Sequence, residues 1–111
     1  NLIILAGNEV SFVDNVMIGP NCGIYAAGHA FDPERRAAGL EYALPVRIGN
    51  NVWIGGHVSI VSGVTIGDNT IIAAGSVVVH DIPPNVLAGG NPCRVIRRIK
   101  PEDDQKYMKK P

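Results

Sequence analysis

Isoleucine or valine returns every six residues through most of the second half of the chain, at Ile48, Ile54, Ile60, Ile66, Ile72 and Val78. A second series, Val52, Val58, Val64, Thr70 and Ser76, follows four places behind the first. Small residues, Gly49, Gly55, Gly67 and Ala73, come directly after the first-series aliphatics, and the pairs Asn50-Asn51, Gly56-His57, Ser62-Gly63, Asp68-Asn69 and Ala74-Gly75 separate one hexad from the next. A helix repeats every 3.6 residues and a half-buried strand every two, so neither accounts for this spacing.

A period of six fits a coil with three flat sides of equal length. One large side chain per side points to the axis and a smaller one fills the space near the corner, as in a hexapeptide-type parallel β-helix. Gly and Asn at the corners tolerate the positive φ of a tight turn. Residues eighteen apart then stack: Ile48 with Ile66, Ile54 with Ile72, Ile60 with Val78. Each buried aliphatic contributes ~1.5–3 kcal/mol. The same beat runs earlier through Ala6, Phe12, Ile18 and Ile24, with Val10, Val16 and Cys22 in the smaller slots.

Between the two halves, residues 29–45 are polar, charged and without the beat. A long insertion in a compact repeat points to function. The predicted organisation is a coil domain over 1–92 carrying this inserted loop, then a C-terminal extension over 93–111. In the extension, acidic residues precede lysines in the order a helix dipole favours, which predicts a short helix. The chain opens on Asn1 already within the repeat. An end coil needs a cap, so an N-terminal segment is expected upstream.

At 111 residues the chain is one domain or part of one, and its formal net charge of zero argues against a nucleic-acid surface. Cys22 and Cys93 do not form a disulfide framework. No segment reads as a membrane span or signal peptide, which leaves the cytoplasm as the expected compartment.

The stretch "PVRIGNNVWIGGHVSIVSGVTIGDNTIIAAGSVVVHDIPPNVLAGGNPCRVIRRI", preceded by "AAGHAFDPERRAAGLEYALPV", resembles the hexapeptide acyltransferases, and within them the maltose and galactoside O-acetyltransferases. The resemblance covers about residues 1 to 100. It implies a left-handed β-helix, against the usual right-handed crossover rule. It also implies a homotrimer with its active sites between subunits, acetyl-CoA as co-substrate, a sugar acceptor and no metal.

By the same resemblance His29, where the coil gives way to the loop, is the catalytic base. An imidazole with a free pKa near 6.5 suits removal of a hydroxyl proton at neutral pH, and Asp32 and Glu41 are candidates to orient it. Trp53, in an outward slot, matches the wall of the acetyl-CoA channel. Gly56, Ala74, Val79 and His80 match backbone contacts to the pantetheine arm, and Arg94 and Arg97 match residues near the nucleotide phosphates, which the planar guanidinium fork suits. Val79-His80 departs from the Thr-Lys common in the family, removing a cation at neutral pH. An acidic acceptor contact of the galactoside type falls on Gly7, while Glu41 and Tyr42, read as substrate contacts, look more like the maltose type.

Three other readings stay open. In the first, the acceptor is serine or another small hydroxyl compound in place of a sugar. The three histidines, His29, His57 and His80, raise a γ-carbonic-anhydrase-like zinc protein, although their spacings of 28 and 23 residues differ from that family's. The chain also fits a non-catalytic trimeric β-helix module.

Overall fold

The computed structural model describes residues 2–104. The chain winds as a left-handed parallel β-helix. β1 (Leu2–Leu5) opens the stack, and the first full coil above it comprises β2 (Val10–Phe12), β3 (Met17–Ile18) and β4 (Cys22–Tyr25). An arm follows, made of β5 (Ala27–His29), α1 (Pro33–Ala37) and β6 (Glu41–Ala43). The next coils are β7 (Val46–Ile48), β8 (Trp53–Ile54) and β9 (Ser59–Val61), then β10 (Thr65–Ile66), β11 (Ile71–Ile72) and β12 (Val77–Val78). The described chain ends with β13 (Val86–Gly89), β14 (Arg94–Arg98) and a 3-10 turn at Pro101–Asp104.

The coils stack into three parallel faces. Face 1 is β2-β7-β10, face 2 is β3-β8-β11-β13 with β14 added antiparallel, and face 3 is β1-β4-β9-β12. The predicted stacking holds, with Ile48 against Ile66, Ile54 against Ile72 and Ile60 against Val78. All of these side chains are buried, as are Val52, Val58, Val64, Thr70 and Ser76 in the smaller slots.

The corners follow the sequence pairs. Asn51, His57, Asn69, Gly63 and Gly75 all adopt positive φ. Along the edge between faces 1 and 2, the amide of Asn15 donates to Asn51 (3.2 Å), Asn51 to Asn69 (3.1 Å) and Asn69 to Asn85 (2.9 Å). These residues therefore supply both the left-handed turn and a ladder of bonds between coils. Small residues after the inward aliphatics reflect backbone proximity: a Cβ on Gly55 would lie 2.6 Å from the nitrogen of Ala74 in the next coil.

Every departure from six residues per side falls on the edge between faces 3 and 1. From Ile60 to Ile66 the passage is regular. Ile24 to Ile48 instead takes twenty-four residues, Ile4 to Phe12 takes eight and Val78 to Ile82 takes four, as the pairings of Ile4 with Ile24, Phe12 with Ile48 and Ile82 with Ile66 show. Ile4 thus takes the slot beneath Ile24 that the early beat assigned to Ala6. The two extra residues form the base of the arm: Asn8 donates to the carbonyl of Ala43 (3.0 Å), and Gly7 lies against Ala27 and Ala43.

The smaller slots turn polar at the top of the stack, where the chain above them is no longer a regular coil. Thr70 donates to the carbonyl of Pro83 (2.9 Å). Ser76 donates to that of Ala73 (2.6 Å) and accepts from the N–H of Gly90 (3.1 Å).

The extension begins as a strand where a helix was expected. Gly90 reverses the chain at positive φ, and residues 94–98 pair with β13, covering an edge that would otherwise be open. Of the predicted helix, residues 101–104 form the 3-10 turn and residues 105–111 lie outside the described residues.

Ser76→Ala should destabilise the protein by about 1 kcal/mol, because it removes the buried hydroxyl that bridges the carbonyl of Ala73 and the N–H of Gly90. Chemical denaturation would show this as a lower midpoint with an unchanged slope. An unchanged midpoint would mean that the hydroxyl does not secure the last coil.

Candidate active site

Residues 29–45 fold into an arm with its own secondary structure. β5 and β6 pair antiparallel, placing Ala27 against Ala43, Gly28 against Tyr42 and His29 against Glu41. Asp32 caps α1 by accepting from the N–H of Arg35 (2.9 Å), with Pro33 in the first turn. Its carboxylate is thereby committed to the helix. Of the two acidic candidates beside His29, Glu41 is the one in place: its Oε1 lies 3.9 Å from His29 Nδ1, an ion-pair neighbour beyond hydrogen-bond length, and both side chains are exposed.

Tyr42, one residue on, belongs to the other face of the arm. Its ring lies across Gly28, where a Cβ would come within 2.3 Å of it. Glu41 and Tyr42 therefore do not present a joint surface to His29.

Four of the residues matched to the donor, Trp53, Gly56, Ala74 and Arg97, line one groove of about 890 Å³ on face 2 and the edge beside it. Strand register builds it. Met17, Trp53, Ile71 and Leu87 are successive partners pointing outward, and Arg97 pairs with Leu87 across β14. An apolar stripe, with Trp53 half-exposed, thus ends on a guanidinium.

Arg94, Val79 and His80 lie outside this groove. Arg94 pairs with Gly89 at the other end of β14. Val79 and His80 follow β12 on the edge between faces 3 and 1, from which the arm also springs. In a triangular prism that edge is opposite face 2. The chain therefore holds His29 on one side and the groove on the other.

Sequence reasoning missed Asp103 and Asp104, which also line the groove. Asp103 accepts from Arg97 (2.8 Å) and from the N–H of Lys100 (2.8 Å). Their signal was the run "PEDD" at 101–104, two residues beyond the arginines, which reads as a helix start.

Cys22 and Cys93 are both free and buried. Burial pushes the Cys93 thiol up, against the smaller opposite effect of a hydrogen bond with Ser76, which keeps it from acting as a thiolate at neutral pH. His57 is a corner residue at positive φ, and among the described residues no three His, Cys, Asp or Glu side chains gather as a metal site.

Residues 45–80 match the family described as bacterial transferase hexapeptide (six repeats). The Saccharomyces cerevisiae protein YJL218W is 65% identical over 103 residues, covering 93% of this chain and 53% of its own. Galactoside O-acetyltransferase of Escherichia coli is 53% identical over 109 residues, covering 98% and 54%. A solved galactoside acetyltransferase in complex with coenzyme A superposes with a TM-score of 0.93 at 53% identity, covering 98% of this chain and 55% of that one. A hexapeptide-repeat acetyltransferase from Vibrio cholerae complexed with acetyl coenzyme A gives 0.88 at 44% identity, covering 90% and 55%. The chain spans about half the length of the curated relatives it matches. The six-residue beat, the arm and these relatives together make the chain a member of the hexapeptide-repeat transferase family.

Proposed function

We propose that this chain is the coil domain of an acetyl-CoA-dependent O-acetyltransferase acting on a sugar hydroxyl. The observation that carries the reading is the groove on face 2, an apolar stripe flanked by Gly56 and Ala74 and ending on Arg97. It is supported by solved relatives of the same fold that hold coenzyme A or acetyl coenzyme A. An amide-rich pantetheine arm suits a channel of backbone and small residues, and phosphates suit the arginine end.

His29 is the general base in this reading. Its imidazole takes the acceptor's hydroxyl proton as the oxygen attacks the thioester carbonyl. The tetrahedral intermediate collapses, the C–S bond breaks, and the imidazolium returns the proton to the departing thiolate. Glu41, across the arm, steadies the imidazolium electrostatically. Tyr42, on the arm's other face, is a candidate acceptor contact.

His29 and the groove lie on opposite sides of one prism, so a site containing both takes them from two subunits. A homotrimer, a closed ring of heterologous contacts, sets the arm of one subunit against face 2 of the next. Val79, His80 and the exposed Phe31 travel with the arm to that boundary, and the half-exposed Trp53 lies on its face 2 side. The reading places the enzyme with its donor in the cytoplasm. Among the described residues no helix is long and apolar enough to cross a membrane.

A thiol-release assay with acetyl-CoA against a panel of sugars and serine tests the reaction. His29→Ala should lower turnover by roughly 10²–10⁴ with the fold intact, and turnover within a few-fold of wild type would remove His29 from the mechanism. Replacing Arg97 by Ala should raise the acetyl-CoA KM with a smaller change in kcat, and Arg94→Ala, outside the groove, should raise it less. An equal loss with a thioester lacking the nucleotide would contradict a phosphate role. Light scattering should give a trimer for the intact polypeptide, and an active monomer would show that one subunit builds the whole site.

A further inference from the structure

The nucleotide end of the groove is occupied by the protein's own carboxylates. Arg97 Nη1 donates to Asp103 at 2.8 Å and to the carbonyl of Arg98 at 3.1 Å, so both of its hydrogens have acceptors within the chain. Asp103 and Asp104 line the same groove. Arg97 brings one positive charge to the lining and these two residues bring two negative ones. The hydrogen bond to Arg97, then that from the backbone of Lys100, holds the Asp103 carboxyl below the usual carboxylate range, and the same bond raises Arg97. The pair is thus ionised across the neutral range. The turn also places itself: Asp103 accepts from the N–H of Lys100 (2.8 Å), which folds Pro101–Asp104 back over β14.

An anionic nucleotide entering here meets an arginine already paired and a second carboxylate beside it. A short thioester that fills only the apolar stripe meets neither. We infer that Asp103 sets donor selectivity: by holding Arg97 it weakens the preference for phosphorylated nucleotide thioesters over pantetheine thioesters. The inference rests on the donor reading of the groove. It assigns Asp103 no contact with the reacting atoms, so it acts on binding through Arg97 as a positioning residue.

The test compares wild type with Asp103→Asn and Asp103→Glu in the intact polypeptide. Calorimetry would give the Kd of coenzyme A and of pantetheine, and kinetics the KM and kcat for acetyl-CoA and S-acetylpantetheine. Asp103→Asn should tighten coenzyme A and lower the acetyl-CoA KM by roughly two- to fivefold, the scale of an exposed charge pair. Pantetheine binding and kcat should stay unchanged. The gain should shrink as salt rises, and Asp103→Glu should restore the wild-type ratio of the two ligands. Unchanged or weaker coenzyme A binding in Asp103→Asn overturns the inference, since Asp103 would then be aiding Arg97. An equal gain for pantetheine overturns it as well, because charge would not be the cause. If wild type binds neither ligand, the donor reading itself fails and this inference with it.

Discussion

Each coil is held by the coil beneath it. Backbone N–H groups of one pass donate to carbonyls of the neighbouring pass, as in Trp53 to Thr70 (3.0 Å) and Gly55 to Ile72 (2.9 Å), while the inward side chains stack in columns. A chain that must land on its predecessor on three successive faces has little freedom in length. A slip of one residue would turn every inward aliphatic outward. The edges between faces 1 and 2 and between faces 2 and 3 obey this strictly, and the asparagine ladder fixes the first of them. The edge between faces 3 and 1 is the one place where length varies, and each variation carries its own compensation. Asn8 and Gly7 secure the long passage beneath the arm, and in the short one above it the Asp81 carboxylate accepts from the N–H of Thr65 (2.8 Å).

The same constraint keeps chemistry out of the interior. The buried columns are aliphatic apart from Thr70, Ser76 and the two cysteines, and among the described residues no buried side-chain nitrogen or oxygen lacks a hydrogen-bond partner. Reactive groups have to sit on the outer faces, at the edges or in insertions. Face 2 offers a repeating outward stripe, and the tolerant edge offers the arm with His29. Because a prism sets an edge opposite a face, the two features that fit the proposed reaction look in opposite directions within one chain, which favours a site shared between subunits.

Much of the fold was legible in the sequence, because a period of six leaves few alternatives. The inward residues, the corner pairs and the partners eighteen apart follow from counting. The misplacement at Ala6 has a definite origin. The arm inserts eighteen residues beyond the regular six between Ile24 and Ile48, one coil's worth, so the beat stays in phase across the break. The two extra residues before Phe12 do not stay in phase with the strand pairing, and counting in sixes cannot reveal them. The extension misled for another reason. The charge order that favours a helix starts only at Glu102; before it, residues 94–98 are drawn into a strand by the open edge of β13, and local propensity carries no information about that edge. Of the site, Trp53, Gly56, Ala74 and Arg97 came together. The pairing of Glu41 rather than Asp32 with His29 needed the cap of α1 and the register of β5 and β6, neither of which a list of acidic residues contains.

The arm also shows how the coil carries an insertion without losing register. The N–H of Ala26 donates to Leu5 (2.9 Å), and that of Leu44 donates to Ala26 (3.1 Å) and to the Ser62 hydroxyl (3.1 Å), so both legs are fixed at the prism edge. β5 and β6 satisfy each other's backbone between those points. The ends of the insertion are close together before the tip is specified, and loop-closure cost grows only slowly with the length beyond them. Residues at the tip are then free to change without disturbing the stack, whereas Trp53, Ile71 and Leu87 lie on the strands that build it. Substitutions at the arm's tip should therefore leave the stack intact, whereas substitutions at Trp53, Ile71 or Leu87 alter the strands that hold it together.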